Sequence, residues 1–196
     1  PDYERINVMN QILGGLFASR VNMNLREKHG YTYGAFSFMQ DNRGAGPFAL
    51  PVSIASDESI TLTNVNTGYW KARRTQQSYA GRIDIEIGPD GKLMLVETVP
   101  VETYLLGVLP AEMPSEWPFE SLKAQAVAAR NEVLVNLAGK HLLDGYDFCG
   151  TEHCRAYLGS AGGEPRAARA LEDTRGLFLV QGDRVVMTAF SAVCGG

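Results

Sequence analysis

One glutamate has surroundings that suit proton transfer. Glu112 is flanked by Ala111 and Met113, and it lies between Pro110 and Pro114. Apolar neighbours disfavour the charged form of a carboxylic acid, and a carboxyl that keeps its proton near neutral pH can serve as a general acid. The two prolines restrict the backbone on either side. The residues alone therefore allow two interpretations of Glu112, a catalytic acid in a proline-bounded turn or an exposed loop glutamate with no role.

A second group of residues combines thiol and imidazole side chains. His141, Cys149 and Cys154 are zinc-type ligands, and three protein ligands would leave a fourth position open for water. His153 is a rival ligand, although we expect its side chain to point away from that of the adjacent Cys154. The alternatives are a Cys149–Cys154 disulfide, natural in an oxidising compartment, or two free thiols. Cys194 is interpreted as a small buried residue.

The composition limits the classes of function. The chain has 196 residues and a net charge of -4. This balance argues against nucleic-acid binding, because phosphate contacts draw on clustered Lys and Arg. Hydrophobic residues make up 45% of the chain, enough for a core. No stretch of about 18 apolar residues predicts a membrane span.

Hydrophobic periodicity and turn residues predict the elements that carry these groups. In the second half we expect, in chain order, a β-hairpin over 83–99, a short helix that begins at Pro100 and ends before Pro110, a long helix from Pro118 to about Ala138, a helix over 164–173 and a hairpin over 177–189. The loop 140–160 between the last two helices holds the thiol and imidazole groups.

The first part of the chain has a different pattern. Residues 10–26 predict a helix that is weakened at Gly14 and Gly15, since each glycine costs about 1 kcal/mol relative to alanine. Residues 31–39 and 49–54 predict strands. The fold class is therefore α+β, with β-hairpins packed against a long central helix and a head of helix and strands.

Four sequence blocks occur in a fixed order in the second half. They are Val99–Pro114, Leu122–Arg130, the residues from His153 to Gly159, and Phe190–Gly196. Together they resemble the stage II sporulation protein D family, which also includes amidase-enhancer proteins. Two positions depart from the family pattern, since Arg155-Ala156 stand in place of Gln-Val, and Phe190 in place of Tyr. The chain also ends inside the last block, which predicts a domain truncated at its C-terminus.

The resemblance implies a peptidoglycan lytic transglycosylase of the cell envelope. In that chemistry Glu112 protonates the bond between N-acetylmuramic acid and N-acetylglucosamine of a glycan strand. It then acts as a base while the muramic 6-hydroxyl closes onto C1, which gives a 1,6-anhydro product. Glu102, ten residues earlier, is a possible second acid but is interpreted mostly as a surface residue. The alternative is a non-catalytic module that binds peptidoglycan and enhances a separate cell-wall amidase.

The resemblance also assigns the remaining site residues. Some family members bind zinc through one His and two Cys in the loop that holds His141, Cys149 and Cys154. Gln125 and Arg130 on the long helix become candidates for substrate binding, and Arg130 could alternatively brace Glu112. Tyr157 is either a platform for a sugar ring or a half-buried core residue.

The head resembles a different family. Residues 13–20 and 25–34 look like the C-terminal half of pitrilysin-like zinc peptidases, in which the residues matching Arg26 and Tyr33 help to hold substrate. The zinc motif His-x-x-Glu-His is absent from the sequence, and His29 has no second ligand four residues on. We therefore expect a chimeric chain, with a non-catalytic peptidase fragment over 1–57 and a peptidoglycan-acting domain over 58–196.

Overall fold

The computed structural model describes residues 2–28, 32–39, 48–54, 59–66, 74–88, 92–137, 139–151, 153–161 and 163–190. His29, Cys194 and the turn at 89–91 lie outside the described residues, and of Tyr33 only the backbone is described. The chain divides into two compact units: Pro1–Ile60 with Ala80–Val99, and Thr61–Tyr79 with Pro100–Gly196. In the described part, no helix combines the length and apolar character needed to cross a membrane.

The first unit contains short helices and an antiparallel sheet. Its helical segments are α1 (Asp2–Asn10), a π-helical turn over Gln11–Gly15, α2 (Arg20–Asn22) and a second π-helical turn over Met23–Lys28. The helix predicted over 10–26 is therefore broken. Leu16 is extended, and the Ser19 side chain then caps α2 by accepting a hydrogen bond from the Asn22 backbone.

The sheet of the first unit contains five strands: β1 (Thr32–Ala35), β2 (Phe38–Met39), β3 (Phe48–Ile54), β6 (Arg82–Ile87) and β7 (Leu93–Thr98). Their order is β1-β3-β6-β7, and β2 also pairs with β3. The predicted hairpin is present as β6–β7, and Ile83 on β6 lies opposite Val52 of β3. The hairpin thus belongs to the same unit as β3, while the division at residues 57 and 58 stays a prediction.

The second unit is built on three helices that pack against one another. They are α3 (Val101–Glu112), α4 (Phe119–Asn136) and α5 (Pro165–Asp173). Two short antiparallel pairs accompany them: β4 (Ile60–Asn66) with β5 (Arg74–Tyr79), and β8 (Val180–Gln181) with β9 (Arg184–Val185). The core side chains of this unit are Leu105, Val108, Leu109, Leu122, Ala126, Ala129, Val133, Ala167, Ala170 and Leu171.

These elements confirm the α+β class and the predicted α4 and α5. The prediction that the first helix of this unit ends before Pro110 is wrong, because α3 continues to Glu112. A proline removes the bond its own N–H would make, but here the Met113 N–H donates to the Leu109 carbonyl at 3.1 Å and closes a further turn. The β4–β5 pair was not predicted.

Candidate active site and metal centre

Glu112 is the last residue of α3, and its carboxyl is held by the backbone of a distant loop. Oε1 accepts a hydrogen bond of 3.1 Å from the N–H of Ala156. The side chain is partly buried. The expected proline-bounded turn is therefore a helix end, which places the acid on a rigid element rather than on a mobile loop.

The loop that carries Ala156 is fixed on both sides. The Leu158 N–H donates to the Gly107 carbonyl of α3 at 3.1 Å, and the Ala161 N–H donates to the Ser78 carbonyl of β5 at the same distance. This approach requires glycines. A Cβ at Gly107 would lie 2.3 Å from the Gly159 carbonyl oxygen, and Gly159 itself has φ +89°.

Aromatic rings line the interior beside this loop. Tyr157 is 7% exposed, and its ring centroid lies 4.9 Å from that of Tyr104 and 6.4 Å from that of Tyr79. Phe148 stacks on Tyr104 with centroids 5.6 Å apart. Tyr157 thus has the geometry of a core residue, the second of the two alternatives for it. Burial raises the pKa of Tyr104, with Arg155 as the main opposing influence.

The sequence did not single out Glu132, yet the structure pairs it with the loop that reaches the candidate acid. Glu132 on α4 forms an ion pair with the buried Arg155. Burial raises the pKa of Glu132, the positive charge of Arg155 opposes that shift, and the nearby Glu112 adds to it. The available signal was helical spacing, since Gln125, Ala129 and Glu132 follow the i, i+4, i+7 pattern of one helix face.

Arg130 is buried in a different set of contacts. Its guanidinium binds both carboxylate oxygens of Glu102, at 2.7 and 2.9 Å, and the Leu177 carbonyl at 2.9 Å. The interpretation of Glu102 as a surface residue is therefore wrong, because it pairs α3 with α4. The structure brings Arg130 to Glu102 rather than to Glu112. Gln125 is also buried, and its Nε2 has no hydrogen-bond partner among the described residues.

The thiol and imidazole groups converge at one point. The candidate ligand atoms of His141, Cys149, His153 and Cys154 all lie within 4.8 Å of one another. The Cys149 sulfur lies 3.3 Å from the Cys154 sulfur and 3.6 Å from His153 Nδ1, and Cys154 Sγ lies 3.8 Å from the same nitrogen. The expectation that the His153 side chain points away from Cys154 is wrong. His153 therefore lies where it could supply a fourth protein ligand to a metal ion.

The electrostatics of the cluster suit a cation. Burial raises the pKa of the Cys149 thiol, but hydrogen bonds with Thr151, Cys154 and His153 outweigh it and lower the value to about 6. His141 Nδ1 is hydrogen-bonded to the Asp144 carboxylate at 2.8 Å. The other ring nitrogen, Nε2, is buried, has no hydrogen-bond partner in the described part of the chain, and is left for a metal ion. A carboxylate on the far nitrogen is the usual support of a metal-bound histidine.

The donor set and its spacing fit zinc. Two thiols and two imidazoles are a common tetrahedral ligand set, and tetrahedral bonds of about 2.0–2.3 Å separate ligand atoms by roughly 3.3–3.8 Å. The three separations above fall in that range. The cluster is therefore compatible with a zinc ion.

The site lies within the part of the chain that is similar to known proteins. Residues 89–180 match the family model described as stage II sporulation protein. The resemblance of the second half to the sporulation protein D family is thereby confirmed. Residues 1–75 match the model described as the inactive domain of peptidase M16, in agreement with the resemblance of the head to pitrilysin-like peptidases. No solved structure matches the chain.

Several curated proteins are similar to parts of this chain. An uncharacterized protein of Brachyspira hyodysenteriae is 36% identical over 104 residues, which is 53% of this chain and 28% of that protein. Stage II sporulation protein D of Bacillus amyloliquefaciens is 51% identical over 39 residues, or 20% of this chain and 11% of the relative. An amidase enhancer of Bacillus subtilis is 34% identical over 92 residues, or 47% and 12% of the two chains. The chain thus spans at most 28% of the length of each of these relatives.

Proposed function

We propose that this chain contributes a peptidoglycan-acting domain, over 58–196, that cleaves glycan strands as a lytic transglycosylase. The observation that carries the proposal is the fixed carboxyl of Glu112, at the end of a helix and bound through Oε1 to the Ala156 amide. That bond leaves Oε2 for proton transfer. The match of residues 89–180 to the stage II sporulation protein model supports the choice of substrate.

A single carboxyl suffices for both steps of this reaction. Glu112 gives its proton to the glycosidic oxygen as the bond from that oxygen to C1 of N-acetylmuramic acid breaks. The 6-hydroxyl oxygen of the same sugar then bonds to C1, and its proton passes to the Glu112 carboxylate. Water does not enter, unlike the usual plan with two carboxylates. Glu132, the other acid nearby, is occupied by its ion pair with Arg155.

We further propose that His141, Cys149, His153 and Cys154 hold a zinc ion in a structural role. Four protein ligands close the coordination sphere, whereas catalytic zinc keeps a position for water or substrate. The ion would supply a cross-link between 141 and the 149–154 turn, directly before the loop that reaches Glu112. Metal analysis of the wild type against Cys149→Ser tests this, and an unchanged zinc content would remove the claim.

The second candidate function is an amidase enhancer that grips peptidoglycan without cleaving it and stimulates a separate cell-wall amidase. The similarity to the Bacillus subtilis amidase enhancer favours it. Either function places the domain outside the cytoplasm, at the cell envelope. The head, over 1–57, is proposed as non-catalytic, because the sequence contains no His-x-x-Glu-His motif.

One experiment separates the two candidates. Purified protein is incubated with glycan strands stripped of stem peptides, and products are analysed by mass spectrometry beside Glu112→Gln. Anhydromuramic products from the wild type alone support the transglycosylase. Binding to the strands with no product from either protein supports the enhancer.

A further inference from the structure

Arg155 is anchored more firmly than its place in an irregular loop would suggest. The residue is 4% exposed, and its guanidinium pairs with Glu132, whose side chain is 19% exposed. The same guanidinium lies 5.2 Å from the centre of the Phe148 ring. A charge removed from water is tolerated only with such partners. The side chain of residue 155 is therefore held beside α4 and Phe148 by charge and ring contacts, while its Nε, Nη1 and Nη2 have no hydrogen-bond partner among the described residues.

The backbone of this residue leads directly to the candidate acid. The Arg155 N–H donates to the Thr151 carbonyl at 3.2 Å, and the next N–H along the chain, that of Ala156, donates to Glu112 Oε1 at 3.1 Å. Residues 155–159 have no regular secondary structure. The direction of the Ala156 N–H thus depends on contacts on either side of it, and the Arg155 side chain is one of those on the N-terminal side, together with the backbone bonds to Thr151.

We propose that the Arg155–Glu132 ion pair is a positioning device for Glu112. By fixing residue 155 it aims the Ala156 N–H at Oε1, and so sets the carboxyl orientation in which Oε2 exchanges its proton. Arg155 and Glu132 touch no reacting atom in this scheme, and both are positioning residues. The catalytic consequence rests on the proposed function, whereas the hydrogen bond itself does not.

The charges support this arrangement. Burial raises the pKa of Glu132, and the positive charge of Arg155 opposes that shift, so the ion pair favours the charged form of Glu132. Removing either member of the pair should therefore disturb the loop and not only one side chain.

The test measures the hydrogen bond directly, by amide hydrogen exchange at Ala156 in 15N-labelled protein. Glu132→Gln and Arg155→Met should each speed exchange at Ala156 about tenfold, the effect of losing one hydrogen bond of about 1.4 kcal/mol. The double variant Glu132→Arg/Arg155→Glu, in which the two charges are swapped, should restore much of the protection of the Ala156 amide from hydrogen exchange. The control is Glu172→Gln, which breaks an exposed ion pair with Arg175 elsewhere in the unit and should leave Ala156 unchanged.

Activity supplies the second readout. With the same variants, kcat for anhydro product should fall about tenfold while KM stays within twofold, because orientation of the acid changes and substrate contacts do not. If Glu132→Gln does not fold, Glu132→Asp is measured in its place, since it keeps the charge and shortens the reach by one methylene.

Three results overturn the proposal or separate it from the proposed function. Unchanged Ala156 exchange in the folded single variants would refute the positioning role. A loss of protection that appears only together with loss of bound metal would assign the effect to the metal centre instead. A wild type that makes no anhydro product would refute the transglycosylase, while the exchange data would still decide the role of the ion pair.

Discussion

Replacing Glu112 with glutamine is the sharpest perturbation that this site allows. The amide has the same shape as the carboxyl, and its oxygen can still accept the Ala156 N–H at the 3.1 Å found here. What disappears is the proton that Oε2 would transfer. A general acid contributes about 10²- to 10⁴-fold to a rate, and here one group serves both steps, so we expect kcat to fall at least 10³-fold.

The effect on the fold should be small, and its size can be bounded. The amide oxygen of the glutamine keeps the hydrogen bond from the Ala156 N–H, so the substitution should cost no more than about 1 kcal/mol, the net worth of one such bond. For a chain of this length that corresponds to a melting temperature lower by about 2–4 °C. Glu116→Gln is the matched control, because Glu116 is an exposed acid four residues further on. It should change neither the rate nor the stability.

The assay is the release of 1,6-anhydromuramic products from stripped glycan strands, followed by mass spectrometry, with thermal unfolding measured on the same samples. Wild-type rates of product formation in folded Glu112→Gln would refute the reasoning, because no other proton donor is assigned to the reaction. A melting temperature lower by far more than 4 °C would show that the carboxyl is structural, and it would contradict the small stability change worked out above.

The remaining predictions concern the elements around the acid. A chelator should lower the melting temperature of the wild type but not of Cys149→Ser, as unfolding curves would show, because only the wild type retains the metal that stabilises the fold. Acidification should release the metal, at a pH lower than the value of about 6 that the pKa of the metal-free Cys149 thiol takes, because protons then displace the ion; a metal indicator dye would follow this. Arg130→Met should cost about 3 kcal/mol in denaturant unfolding, because it leaves the Glu102 carboxylate unpaired inside the unit. Gly107→Ala should cost about 2 kcal/mol in the same measurement, since its methyl group would meet the Gly159 carbonyl; full stability in that variant would show that the loop can move aside.

The predictable parts of the fold are those with a strong local signal. In α4, Leu122, Ala126, Ala129 and Val133 recur at helical spacing, and in β6 Ile alternates with Asp and Glu, so both elements were predictable without tertiary information. The end of α3 was not, because a proline normally ends a helix, whereas here the bond from the Met113 N–H to the Leu109 carbonyl closes one more turn. The β4–β5 pair carries a weaker signal, since the alternation of Ile60 and Leu62 with threonine ends at Asn64, and β5 contains no aliphatic residue.

The candidate site also has a part that could be predicted from the sequence and a part that could not. Glu112 and the zinc ligands carry recognisable residue types within short stretches of sequence, so they could be selected from the sequence. Glu132 and Arg155 could not be connected, because they are 23 positions apart and only the return of the loop to α4 joins them. The sequence also could not decide between three and four protein ligands of the metal centre, because the side-chain directions at 153 and 154 depend on the local backbone.

The bond between Glu112 and residue 156 is made by a main-chain amide, and this affects how the site tolerates sequence change. Every residue except proline carries that N–H, so the side chain at 156 is free to vary without loss of the contact. Ala156 stands where the family usually has Val, and this difference therefore does not affect the hydrogen bond to Glu112. Substitution of residue 156 by other amino acids would keep the hydrogen bond that orients Glu112, whereas substitution by proline would abolish it.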